Sequence, residues 1–203
     1  LLSAEHIVYL GDTARVPYGT KSADTVTRFA CEDAAFLLKH NVKALVVACN
    51  SVSATALPEL EIRYSVPVFG VITPGAIAAT EQTQNGRIGI IGTTATIRSQ
   101  AYHRAIAALY PNAQVHARPC PLLVPLAEEG WQAHAVTRVV LKEYLTPLLE
   151  KDIDTLVLGC THYPILKEAI AEITGSKINL VDSAESCAQY IRRELERLGQ
   201  LNE

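Results

Sequence analysis

The spacing of hydrophobic residues along this chain changes period repeatedly. "ALVVA" at 44–48 is a short apolar run, and it reads as a strand buried on both faces. "VPVFGVI" (66–72), "RIGIIG" (87–92), "AQVHARPC" (113–120), "TLVLG" (155–159) and "INLVD" (178–182) read as further strands, and "HIVYL" (6–10) as a first one ended by Gly11-Asp12. Between these runs apolar residues recur every three or four positions. That spacing predicts helices over 22–40, 53–65, 74–83, 97–110, 136–150, 164–174 and 183–198. Ser22 is placed to cap the first of them, and Pro74 lies near the start of the third. Pro58 must occupy the first turn of its helix or kink it. "PLAEEGWQAH" (125–134) fits no single period.

Strands alternating with helices predict an α/β fold with parallel sheets, in which working groups lie beyond the carboxyl ends of the strands. The chain also echoes itself. "VYLGDTARVPYG" resembles "GIIGTTATIRSQ" 81 residues on, and "ALVVACNSVSATALPELE" resembles "TLVLGCTHYPILKEAIAE" 111 residues on. The extra length in the second half falls near 118–150. We therefore expect two pseudo-symmetric α/β domains with mostly parallel central sheets and a cleft between them. Residues 1–72 with 182–203 form the first, and 73–181 the second.

The second echo carries the chemistry. Cys49 and Cys160 each follow an apolar strand and precede a helix. Alone, either thiol reads as core filling. As a pair on opposed halves they suit inversion of a carbon centre, which needs one acid/base group on each face. A thiol suits the task because it titrates near neutrality and helix N-termini favour the thiolate. Asn50, Ser51, Thr161 and His162 beside them offer donors for the carboxylates and ammonium of a small zwitterion. Cys31 and Cys187 fall within helical patterns and Cys120 begins a loop, so packing is the better reading for those three. No phosphate-binding glycine motif and no marked Schiff-base lysine occurs, so no cofactor and no metal is expected.

Composition narrows the class. The 203 residues are 49% hydrophobic and 19% charged, with a net charge of -3. That balance belongs to a globular protein and offers no basic surface for nucleic acid or an anionic membrane. No apolar run approaches the ~18 residues of a membrane span. Five cysteines at long spacings point to reduced thiols and a cytoplasmic location. The opening "LLSAEHIVYL" has no Met and no signal-peptide pattern, and it reads as starting inside a fold.

The segments "YLGDTARVPYGTKS", "VVACNSVSA", "FGVITPGA", "IGIIGTTATIRSQAY", "CPLLVPLAEEG" and "LGCTHYPIL", in this order, resemble the glutamate racemase family across essentially the whole chain. The resemblance implies a cofactor-independent isomerase that interconverts L- and D-glutamate for peptidoglycan. It implies Cys49 and Cys160 as the two proton carriers, with Glu128 and His162 assisting Cys160. Tyr18, Gly19, Asn50, Ser51, Thr93, Thr96, Thr161 and His162 would line the substrate, and a homodimer is compatible with it. An aspartate or other amino-acid racemase, and a non-catalytic member that inhibits DNA gyrase, are the alternatives. Two departures stand out. Ser51 replaces a usual Thr, retaining the hydroxyl. The family's opening D-S-G-x-G-G has no match here, and the resemblance implies low activity for a chain without it.

Overall fold

In the computed structural model, which describes residues 2–202, strands form only where a parallel neighbour exists. β1 (Leu45–Val47) pairs with β2 (Val68–Gly70), Leu45 opposite Val68 and Val47 opposite Gly70. β3 (Arg87–Gly92), β4 (Gln114–Pro119), β5 (Thr155–Gly159) and β6 (Asn179–Asp182) form a second parallel sheet in the order β4-β3-β5-β6. Parallel neighbours require crossovers, and helices supply them. The helices are α1 (Ala23–Leu38), ahead of the first strand, then α2 (Asn50–Thr55), α3 (Leu57–Arg63), α4 (Ile72–Gln82), α5 (Thr94–Arg98), α6 (Ala101–Leu109), α7 (Leu123–Glu128), α8 (Ala135–Leu149) and α9 (Lys167–Thr174) in the connections, and α10 (Ser183–Arg197) after the last strand. The expected α/β class with parallel sheets is the one observed.

Local chemistry explains most boundaries. The Ser22 hydroxyl accepts the Thr25 N–H at 3.3 Å and starts α1. Pro58 is the second residue of α3, where its missing N–H leaves no bond unmade. It divides the helix expected over 53–65 into α2 and α3 at Ala56. The helix expected over 97–110 also divides, because Gln100 turns to a φ of +55° between α5 and α6. The ambiguous 125–134 stretch yields the end of α7 and then turns.

Two further expectations fail. Residues 6–10 form no strand, and Ile7, Val8 and Tyr9 are exposed. An apolar alternation becomes a strand only where another strand shares its hydrogen bonds, and among the described residues none pairs with it. β1 is not buried on both faces either, since Val46 is 46% exposed. Its better-covered face packs Leu45 against Val26, Ala30 and Leu60 of α1 and α3, while Val46 lies opposite Phe69, which is buried, and is itself left half-exposed.

The four-stranded sheet is buried as the pattern requires. On one face Ile91, Leu156 and Leu158 pack against Leu123, Leu141, Leu145 and Ile170 of α7, α8 and α9. On the other, Ile88, Ile90 and Val157 pack against Ala76, Ala79 and Ile106 of α4 and α6. Each large aliphatic side chain so buried stabilises the fold by about 1.5–3 kcal/mol. α10 leaves β6 and returns to the first half, where Cys187, Ile191 and Leu195 pack on Phe69 and Val71.

Register then levels the strand ends. Gly92 lies opposite both Pro119 and Gly159, and Leu158 lies opposite Asp182. The residues that follow, Thr93, Cys120, Cys160 and Ser183, therefore share one rim of the sheet.

Candidate active site

Each expected thiol lies just past a strand. Cys49 is the capping residue of α2, two positions beyond β1, and is half-buried. Cys160 follows β5 directly and is 6% exposed. Burial is the largest influence on both and pushes both thiols up, Cys160 to about 12. The N–H groups of Val52 and Ser51 and the Ser51 hydroxyl oppose the rise at Cys49. At Cys160 the N–H of His162 opposes it, and the charge on an ionised Cys49 adds to it. The two sulfurs are thus within electrostatic reach across the halves, and both rest as neutral thiols.

Among the described residues, a side-chain base lies at hand for Cys160 and not for Cys49. Cys160 Sγ lies 3.7 Å from His162 Nδ1. His162 Nε2 is hydrogen-bonded to the carboxylate of Glu128, which comes from the end of α7. A carboxylate only accepts, so the imidazole proton sits on Nε2 and Nδ1 is left as an acceptor facing the thiol. Thr161 Oγ1 stands 3.4 Å from the same Nδ1.

The hydroxyls from the two halves meet. Ser51 Oγ lies 2.8 Å from Thr93 Oγ1 and 3.4 Å from Thr96 Oγ1, and the two threonine oxygens are 3.1 Å apart. All three residues are buried. Thr93 also caps α5 by accepting the Thr96 N–H. The Tyr18–Thr20 turn lies over this group. A side chain at Gly19 would put its Cβ 2.7 Å from Thr93 Cβ, so the close approach requires glycine.

Tyr18 is placed differently from the other expected substrate residues. Its hydroxyl donates to Asp12, with Asp33 at 3.4 Å, away from the Ser51 group. Arg15 binds Asp12, Glu32 and Asp33 together and anchors the turn. The Tyr18 hydroxyl is therefore already engaged.

Two buried residues absent from the sequence expectations complete the rim. Asn50 Oδ1 accepts from Tyr102 OH at 2.8 Å, and Asn50 Nδ2 donates to Ser183 Oγ at 3.3 Å. Ser183 carried a readable signal, a small hydroxyl directly after a strand. Tyr102 carried none, since an aromatic residue inside a helical period reads as core. Among the described residues no cluster of three or more His, Cys, Asp or Glu could hold a metal ion, and no helix is long and apolar enough to cross a membrane.

The family model for Asp/Glu/Hydantoin racemase matches residues 2–191. A glutamate racemase from Geobacter metallireducens is 53% identical over 200 residues, covering 98% of this chain and 74% of that protein. A crystal structure of a glutamate racemase isoform from Bacillus anthracis superposes with a TM-score of 0.97 at 42% identity, covering 100% of this chain and 76% of the other. The glutamate racemase from Francisella tularensis, solved in complex with D-glutamate, gives 0.92 at 41% identity, covering 100% and 75%.

Proposed function

The chain belongs to the Asp/Glu/Hydantoin racemase family, and from that membership together with its paired thiols we propose that it interconverts L- and D-glutamate by proton transfer at Cα, with no cofactor. The observation that carries this reading is the placement of Cys49 and Cys160 after parallel strands of opposite halves, within electrostatic reach of each other. We take residues 1–72 with 182–203 as one domain and 73–181 as the other, the substrate lying between them. The product D-glutamate is assigned to peptidoglycan synthesis.

In each direction one sulfur, as thiolate, takes the Cα proton, and the other thiol delivers its proton to the opposite face. The substrate leaves inverted with atoms and charge conserved, and the two sulfurs have exchanged protonation states. Both thiols are held neutral at rest, so a thiolate must first be made. His162 Nδ1 takes the Cys160 proton, and Glu128 stabilises the resulting imidazolium through Nε2. Cys49 becomes a thiolate when it delivers its proton to Cα, and the Ser51 and Val52 N–H groups and the Ser51 hydroxyl then stabilise that thiolate for the reverse direction. Ser51, Thr93, Thr96, Asn50 and Thr161 supply neutral donors for the carboxylates, with the Tyr18–Gly19 backbone closing over them.

Circular dichroism of L- and D-glutamate mixtures tests the proposal, with L-aspartate as the competing substrate. The parent racemises glutamate from either side and leaves aspartate. Cys49→Ser and Cys160→Ser each abolish racemisation, because a hydroxyl is far too weak an acid at neutral pH. Ordinary turnover by either variant would overturn the two-thiol assignment.

A further inference from the structure

We infer that Tyr102 is a positioning residue that sets the gap between the two thiol-bearing strand ends. It touches both. On one side, a Cβ built on Gly159 would stand 3.2 Å from Tyr102 Cε2, so the ring occupies the space above the residue that precedes Cys160. On the other, its hydroxyl donates to Asn50 Oδ1, on the residue that follows Cys49. Asn50 Nδ2 donates to Ser183 Oγ, and Ser183 Oγ donates to the Leu158 carbonyl at 3.4 Å, two residues before Cys160. The path closes on itself: phenol, amide, hydroxyl, strand β5 and back to the phenol.

Every member of the ring is buried, with Tyr102 at 2%, Asn50 at 1% and Ser183 at 2% exposure. A buried amide left unpaired is destabilising, so the bonded arrangement is strongly preferred over a rotated one. The phenol is a rigid strut with two torsions, unlike a long aliphatic chain. Burial also pushes its acidity well below that of an ordinary tyrosine, so it serves as a fixed neutral donor and carries no proton to the substrate. This inference rests on the racemase reading, since inversion needs both thiols at opposite faces of one carbon. A displacement of ~1 Å at such a site lowers the rate about 100-fold.

The decisive variant is Tyr102→Phe, which keeps the ring against Gly159 and removes only the hydroxyl. Its turnover of glutamate should fall about tenfold, the scale of one lost buried hydrogen bond, with KM changing less than kcat. Without substrate, alkylation of Cys49 by iodoacetamide, followed by peptide mapping, should rise several-fold as the first turn of α2 loosens. In an Asn50→Ala background, Tyr102→Phe should change neither quantity further, because a residue acting through another loses its effect once that residue is removed. Parental turnover together with parental alkylation in Tyr102→Phe would overturn the inference. So would an equal change in the Asn50→Ala background. A parent that leaves glutamate unchanged overturns the proposed function alone, since the alkylation cycle still judges the bridge. If Tyr102→Phe melts below the assay temperature, Ser183→Ala enters the same cycle with the same expectations.

Discussion

Raising the pH should destabilise this protein through its own buried thiols. Burial pushes Cys160 from the ordinary value of 9.0 to about 12, and Cys120 likewise to about 12. Both are acids whose neutral form the fold retains, so their contribution is complete below pH 9 and is lost as pH climbs toward 12. The sign follows from proton counting: in that window the unfolded chain has released protons that the folded chain still holds. At pH 10 each thiol then lowers stability by between about 1 and 2 kcal/mol, against a typical total of about 5–15 kcal/mol. Urea titrations in reductant at pH 7.5 and pH 10 measure the difference. Cys120→Ala is the informative variant. It loses some packing at both pH values, but it should shrink the loss between them by the share of one thiol. A loss in Cys120→Ala as large as the parent's would refute the reasoning.

Three other outcomes are expected. Glu128→Ala removes the acceptor from His162 Nε2, and turnover should fall about 10- to 100-fold. The Cα-deuterium isotope effect should grow for one glutamate enantiomer only, and equal growth for both would argue against an aid confined to Cys160. Gly19→Ala forces a Cβ against Thr93 at 2.7 Å and should lower stability by about 1–3 kcal/mol while raising KM for glutamate. A melting curve and KM at their parental values would show that the turn yields freely. Ser51→Ala breaks the 2.8 Å contact with Thr93 and should lower kcat/KM by about 1–3 kcal/mol in free-energy terms. Parental kinetics there would reduce Ser51 to a helix-capping role.

The parts of the fold that could be read in advance were those fixed by local chemistry. Six strands were legible because their apolar runs end in glycine, proline or a polar residue, Ser22 announced its helix start, and Pro58 warned of a disturbance in the helix expected over 53–65. Residues 6–10 misled because alternation reports a face to bury and says nothing of a neighbouring strand. Val46 misled for a related reason: an apolar run cannot tell which face the fold will cover. Gln100 gave no warning of its positive φ, since its neighbours keep a helical period. In the site, Cys49 and Cys160 stood out by repetition. The link between Glu128 and His162 spans 34 residues, so no spacing rule reaches it, and only the family resemblance suggested it. The Tyr102–Asn50–Ser183 ring joins three separate helices and existed for the reader only after folding.

The three hydroxyls of Ser51, Thr93 and Thr96 have a consequence for symmetry. In the contact between Ser51 and Thr93 either oxygen can be the donor, and the same holds for Thr93 with Thr96. Reversing the direction of this small circuit needs only rotation about C–O bonds, with no heavy atom displaced. A guanidinium or a carboxylate in the same place would present one fixed polarity. The two mirror images of an amino acid carry the same carboxylates and ammonium in slightly different places, and a reversible circuit can turn its hydrogens toward the oxygens of each in turn. Even-handedness toward left and right would then reside in the light atoms, leaving the protein frame unmoved between the two.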